Sequence, residues 1–239
     1  MFRSLVLLAT AGLALAACDS TDPVVDPVNL DVRTAADVAA DPAPRDRTTG
    51  QVTGAATGRY TFYSLRENRV VLNYDNPNRA DSASTAWDLA VRGTTILING
   101  GTSGPGAAAA VVVVGSFDEI TGVPPTTTFR TDGAAESTCP GANTPNGPVP
   151  GTPRAICTGS DNGWYNYNQP QNLVSPLSGR TILVRTADGQ GYAKVQIQSY
   201  YRGAPAAPVT APGSGNSEER FYTFKYVFNP AGTSFIPVQ

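Results

Sequence analysis

An all-β fold is the class this sequence predicts, and three observations predict it. The chain of 239 residues carries 24 Gly and 20 Pro, a density of backbone punctuation that interrupts long helices. Its apolar residues fall in short runs, several with period-2 alternation, and no heptad or long amphipathic stretch occurs. Those runs are bounded by Gly, Asn and Asp turn residues.

The elements follow in chain order. Arg59-Tyr-Thr-Phe-Tyr-Ser-Leu65 alternates, and Arg69-Val-Val-Leu-Asn-Tyr74 follows after a short turn, which predicts a hairpin. Trp87-Asp-Leu-Ala-Val-Arg92 and Thr94-Thr-Ile-Leu-Ile-Asn99 form a second pair around Gly93. Ala107 to Val114 is an apolar run suited to a buried strand, because its β-branched Val111–Val114 half disfavours helix. Ser116-Phe-Asp-Glu-Ile120 reads as a turn or short helical piece. Thr181-Ile-Leu-Val-Arg185, the Asp188-Gly189 turn and Tyr192-Ala-Lys-Val-Gln-Ile-Gln-Ser-Tyr200 predict a long hairpin. In its second strand Ala193, Val195 and Ile197 share one face, and Lys194, Gln196 and Gln198 the other. Arg220 to Phe228 is a last strand that closes the sheet, after an Ala/Pro/Gly-rich loop from Gly203 to Gly215.

Composition excludes several functions. The formal charge is −2, and the Arg residues are scattered, so no basic stripe marks a nucleic-acid partner. The chain contains no His, which removes Ser-His and Cys-His dyads and His metal sites. No nucleophile–base pair is visible, so catalytic residues are none and the expected class is not an enzyme. Asp88 beside Trp87 has no partner acid or base in the sequence and reads as a buried hydrogen-bonding residue. Asn99-Gly-Gly-Thr-Ser-Gly-Pro-Gly106 resembles a phosphate cradle but lacks the Lys of a P-loop and leads into no helix, so a structural turn is expected. The Glu218-Glu219-Arg220 run reads as a solvated start to a strand.

The first segment is an address. Arg3 precedes an apolar run from Leu5 to Ala17, which ends in Leu15-Ala16-Ala17-Cys18. This end resembles the lipobox of bacterial lipoproteins, in which the Cys becomes the lipidated first residue of the mature chain. The reading is a signal peptide over 1–17, lipidation at Cys18 and a membrane partner through the lipid anchor. Residues 18–50 hold Asp19, Asp22, Asp26, Asp31, Asp37, Asp41 and Asp46 with several Pro and few large apolar residues. That composition predicts a flexible Asp/Pro-rich tether, with room for a short helix near Thr34–Ala40 and an ordered strand around Val28–Val32 as the alternative, ahead of a β domain over 51–239. The remaining cysteines, Cys139 and Cys157, are expected to pair as a disulfide in an exported protein, closing a Pro/Gly-rich loop.

Several motifs together resemble the HmuY-like family of Bacteroidota lipoproteins. They are Trp87-Asp-Leu-Ala-Val-Arg92, Ile98-Asn-Gly-Gly-Thr-Ser-Gly-Pro-Gly106 and Gly163-Trp164-Tyr165. Thr181 to Gly189, Tyr192 to Tyr200 and Tyr222-Thr-Phe-Lys-Tyr226 complete the set, in family order over roughly 60–239. The resemblance implies two packed antiparallel sheets with long Pro/Gly-rich loops. It also implies a surface-exposed outer-membrane lipoprotein that binds haem and works with an outer-membrane receptor in nutrient uptake. In the family, His or Met ligands hold the haem iron, one of them just after the Gly-Trp motif. By spacing that position falls near Gln169 in Gly163-Trp-Tyr-Asn-Tyr-Asn-Gln169, a poor iron ligand, and the only Met is Met1. Tyr165 or Tyr167 is left as a phenolate ligand, or both as residues closing one end of a sandwich. A third reading makes Trp164, Tyr165 and Tyr167, with the neighbouring Asn side chains, a platform for a flat organic ligand, a glycan or a protein. Two functions therefore stand side by side: a haem-carrier-like binding protein, and a surface interaction module for protein or glycan that binds no haem.

Overall fold

Alternation along each strand sorts side chains to two faces; the faces between the two main sheets are buried, and parts of their outer faces are covered as well. The computed structural model describes residues 30–236 apart from 47, 145–146 and 211–216, with backbone only at 142–144 and 147–149. The expected signal peptide, Cys18 and the first part of the expected tether lie outside the described residues.

The strands are β1 (Arg33–Ala39), β2 (Thr61–Ser64), β3 (Arg69–Leu72), β4 (Leu89–Arg92), β5 (Thr95–Ile98), β6 (Ala109–Val114) and β7 (Ala142–Thr144). They continue as β8 (Gly147–Val149), β9 (Tyr165–Asn168), β10 (Leu173–Pro176), β11 (Arg180–Arg185), β12 (Tyr192–Tyr201) and β13 (Glu219–Asn229). A five-stranded sheet has the order β1-β13-β12-β11-β6, and a four-stranded sheet the order β3-β2-β4-β5, all antiparallel. Hairpins β9–β10 and β7–β8 stand apart as two-stranded ribbons. The all-β sandwich expected from sequence is what the chain forms.

The core between the sheets takes Tyr63, Leu89, Val91, Ile96 and Ile98 from one side. From the other come Ile182, Val184, Ala193, Val195, Ile197, Tyr222, Phe224 and Tyr226. Two smaller apolar layers cover the outer faces. Residues 116–129 and the C-terminal segment seal Leu183 and Val227 beneath Phe117 and Phe235. On the other sheet Phe62, Leu72, Ala90 and Leu97 pack around Trp87, with Trp87 edge-on to Phe62 at 4.7 Å. Lys194 therefore does not face water. Its Nζ donates to the carbonyls of Phe117 and Ile120 at 2.7 and 2.9 Å and lies over the Phe117 ring.

The Asn99–Gly106 turn is structural. The Asn99 amide donates to the Trp87 and Ser84 carbonyls at 2.8 and 2.9 Å, and its Oδ1 accepts the Gly106 N–H at 2.9 Å. A Cβ on Gly104 would stand 2.2 Å from that Oδ1 and 2.8 Å from the Trp87 ring, so only glycine fits.

Three elements differ from the sequence reading. Residues 33–39, expected as tether or helix, form β1 and pair with β13, so β1 and not β13 is the sheet edge. Only Ala35 and Val38 of β1 face the core; backbone pairing supplies the rest, around a bulge with Asp37 at φ +51°. Asp41, also within the expected tether, is buried and accepts the N–H groups of Thr57 and Gly58 at 2.7 Å each. The β6 run is an edge strand with Val114 exposed, partly covered by the bridge from Ala110 to Arg130. Finally, the Pro-rich stretch between the cysteines folds back as β7–β8. Cys139 and Cys157 are bonded, with Cα atoms 5.5 Å apart, as expected.

Candidate functional site

The Gly-Trp segment leaves the core as hairpin β9–β10, in register Tyr165↔Pro176 to Asn168↔Leu173. Trp164 is buried, and its Nε1–H donates to the Thr94 carbonyl at 3.0 Å. Its ring meets Tyr165, Tyr222 and Tyr200 at 4.9, 5.1 and 6.0 Å. Burial of side chains this large contributes on the order of 1.5–3 kcal/mol each, so this cluster anchors the end of the sandwich. Tyr165 is buried too, and its hydroxyl accepts the Gly159 N–H at 3.0 Å. Burial holds the phenols of Tyr200 and Tyr222 above the ordinary range, so both stay neutral. The Tyr222 hydroxyl donates to the Gly93 carbonyl at 2.9 Å.

Tyr165 and Tyr167 lie on one face of β9, but the hairpin runs past the sheet, so that face passes from core to solvent. Tyr167 is 41% exposed, and its hydroxyl donates to Asn172 Oδ1 at 3.0 Å. Gln169 is exposed at the hairpin turn. The structure thus separates the four candidate ligand-binding residues: Trp164 and Tyr165 belong to the core, and Tyr167 and Gln169 to the rim of the turn. The platform of Trp164, Tyr165 and Tyr167 is not assembled.

What the turn does build is a groove of about 540 Å³, lined by Pro170, Gln171, Asn172 and Leu173 on one wall and Pro208, Val209 and Thr210 on the other. Its volume falls within the range of small-molecule sites, about 300–1,000 Å³. Asn168 and Gln171 join side chain to side chain at 3.1 Å, and Asn172 takes a positive φ that Asn tolerates. The Thr210 hydroxyl donates to the Gln171 carbonyl, and Val209 and Ser217 exchange backbone and side-chain bonds at 2.8 and 3.0 Å. No lining side chain is charged. The walls offer apolar surface, amides and one hydroxyl, which suits an uncharged plane and gives no strong metal donor. Among the described residues no group of three His, Cys, Asp or Glu converges on a point.

None of Trp164, Tyr165, Tyr167 and Gln169 lines this groove, and its walls, residues 170–173 and 208–210, are not singled out by the sequence. The Ala/Pro/Gly-rich loop carries no periodic signal, and its contact with Gln171 appears only in the fold. Asp88, weighed as a carboxylate with a hydrogen-bonding task, accepts the N–H groups of Leu65 and Ala187 at 2.8 and 2.9 Å.

Comparison with known proteins gives one family. The family model described as HmuY protein matches residues 56–211. Among solved structures, the apo HmuY analog (TFO) of Tannerella forsythia is similar, with a TM-score of 0.40 and 15% identity. That likeness covers 84% of this chain and 95% of the other. No curated protein matches the chain.

Proposed function

The chain belongs to the HmuY family, and from that membership we propose that it is a non-enzymatic binding protein that captures a flat, largely apolar organic ligand in the groove beside Gln169. In this reading Cys18 carries lipid, the protein sits on the outer membrane, and an outer-membrane receptor takes the ligand onward. The observation that carries the proposal is the uncharged groove at the very turn where the family resemblance puts a ligand-contacting residue.

The donor set fits the ring of haem and not its iron. No His exists in the chain, Tyr165 is buried, and Tyr167 is bonded to Asn172. Haem as cargo would be held by dispersion and apolar contact with Pro170, Leu173, Pro208 and Val209, with the amides of Gln171 and Asn172 at the edge.

The test compares haemin with iron-free protoporphyrin IX by absorbance and fluorescence titration of the purified protein. Equal affinities, unchanged in Tyr167→Phe, are expected. A haemin-specific Soret shift that disappears in Tyr167→Phe would replace this reading with phenolate ligation. The exposed Tyr167 and Val209 beside the groove favour a second reading, the interaction module, and binding of neither porphyrin would select it.

A further inference from the structure

A second cleft, of about 830 Å³, opens at the base of the 203–217 loop, where β12 gives way to β13. Pro42 and Pro44 lie on one side and Tyr74, Arg202, Glu218 and Phe221 on another. It is larger than the groove beside Gln169 and shares no lining residue with it.

Its polar groups divide into those already engaged and those held ready. Arg45 donates to the Gly50 carbonyl at 3.1 Å, and Asp46 accepts the N–H groups of Thr48 and Thr49 at 2.7 and 2.8 Å. Arg202 is held from two directions. Its Nε bonds to one oxygen of Glu218, and its guanidinium lies 3.7 Å over the Phe221 ring. This stacking orients the plane of the fork, although the Arg202 side chain is 52% exposed. The terminal nitrogens of Arg202, the second carboxylate oxygen of Glu218 and the Tyr74 hydroxyl have no hydrogen-bond partner among the described residues. Burial, followed by the Asp75 and Asp41 carboxylates, raises the Tyr74 phenol above its ordinary range, with Arg202 opposing and Glu218 adding to it. The phenol is therefore neutral and able both to donate and to accept.

The set combines oriented donors, an acceptor and an amphoteric hydroxyl beside proline surface. An anion gains from Arg202 and Arg45 but meets Asp46, Asp75 and Glu218; a cation meets the reverse conflict. A neutral polyol meets neither. Adjacent hydroxyls accept from the guanidinium and donate to the carboxylate, while the ring C–H face packs on proline and Tyr74. We propose that this cleft is a saccharide-binding site, in which a vicinal diol of a neutral sugar is held between the Arg202–Glu218 pair and the Tyr74 hydroxyl.

The test is a titration of the isotope-labelled protein with maltohexaose, cellohexaose, xylohexaose and an α-mannotetraose, followed by backbone amide shifts. Glucose 6-phosphate serves as the anionic control. At least one neutral oligosaccharide should saturably shift the amides of Ala43, Arg45, Asp46, Tyr74, Asp75 and Arg202. Tyr74→Phe, which removes only the hydroxyl, should weaken that binding about fivefold, and Arg202→Gln about tenfold, each with the remaining amides unmoved. The proposal is overturned if none of the four sugars shifts these amides, if the shifts fall instead on Gln171–Leu173, Val209 and Thr210, or if glucose 6-phosphate binds as tightly as the best neutral sugar. It is equally overturned if both variants bind as the parent does.

Discussion

The Asp88 carboxylate accepts the backbone N–H of Ala187 at 2.9 Å across 99 positions of sequence, and its other oxygen accepts that of Leu65 at 2.8 Å. Leu65 follows β2 of the four-stranded sheet, and Ala187 begins the turn from β11 to β12 of the five-stranded one. One buried side chain therefore ties the two layers at the end opposite the clefts.

Removing this tie should be costly. Asp88→Ala leaves two buried N–H groups without an acceptor, at about 1–3 kcal/mol each. Asp88→Asn keeps one acceptor and should lose roughly half as much. Chemical denaturation measures both; a loss under about 0.5 kcal/mol for the Ala variant would refute the role.

Acid stability should carry two opposite contributions. Burial raises Asp88 above its ordinary 3.8, against the lowering effect of the Ala187 and Leu65 N–H bonds. The folded protein then holds this proton more tightly than the unfolded chain, so the Asp88 contribution falls as pH rises through its raised value. For Asp188, burial raises the value, but bonds from Thr186, Gln190 and Gly191 and the Arg66 charge together bring it down to about 2. Its contribution is complete above about 3.8 and is lost as pH falls toward 2. Stability curves of Asp188→Asn should be flatter than the parent's in that acid window, whereas Asp88→Asn should lose slope only above it.

The Cys139–Cys157 bond closes the β7–β8 excursion beneath Arg130, whose Nη atoms lie 3.3 and 3.7 Å from the two sulfurs. Replacing both cysteines with Ser should cost about 3 kcal/mol in the chain-entropy account. Thiol titration of the unfolded, unreduced protein should find neither Cys139 nor Cys157 free.

Gly104→Ala should destabilise by about 1–3 kcal/mol, because its Cβ would press on Asn99 Oδ1 and the Trp87 ring. Thermal unfolding checks this, and a variant as stable as the parent would show that the turn can move.

Val209→Glu places a negative charge, repelled by the porphyrin carboxylates, on the wall of the groove at a half-exposed position. Stability should change by less than about 0.5 kcal/mol, while protoporphyrin binding falls about tenfold or more. Unaltered porphyrin affinity in this variant would move the ligand elsewhere.

Much of the sheet was legible because the information was local. Period-2 alternation and turn residues marked β2–β3, β4–β5 and β11–β12, which pair as their sequence neighbours predict. The leftover cysteines announced their own bond, and the lone Asp88 its hydrogen-bonding task. β1 was hidden because Ala35 and Val38 are its only core-facing apolar residues, and its remaining stability comes from backbone pairing with a strand at the other end of the chain. Hairpin β9–β10 was hidden for a similar reason: Tyr-Asn-Tyr-Asn carries an alternation of aromatic and amide that does not separate core from rim.

By itself, then, the sequence determined the all-β class, the local hairpins, the family resemblance and the absence of imidazole from every possible site. Only the tertiary structure decided that Trp164 and Tyr165 face inward while Tyr167 faces out, and that Pro208–Thr210 meets the 170–173 turn. It also decided that Arg202, Glu218 and Tyr74 share a cleft. Composition and periodicity report which faces a strand can have; which neighbour covers each face depends on contacts between distant segments, and those are settled only when the layers pack.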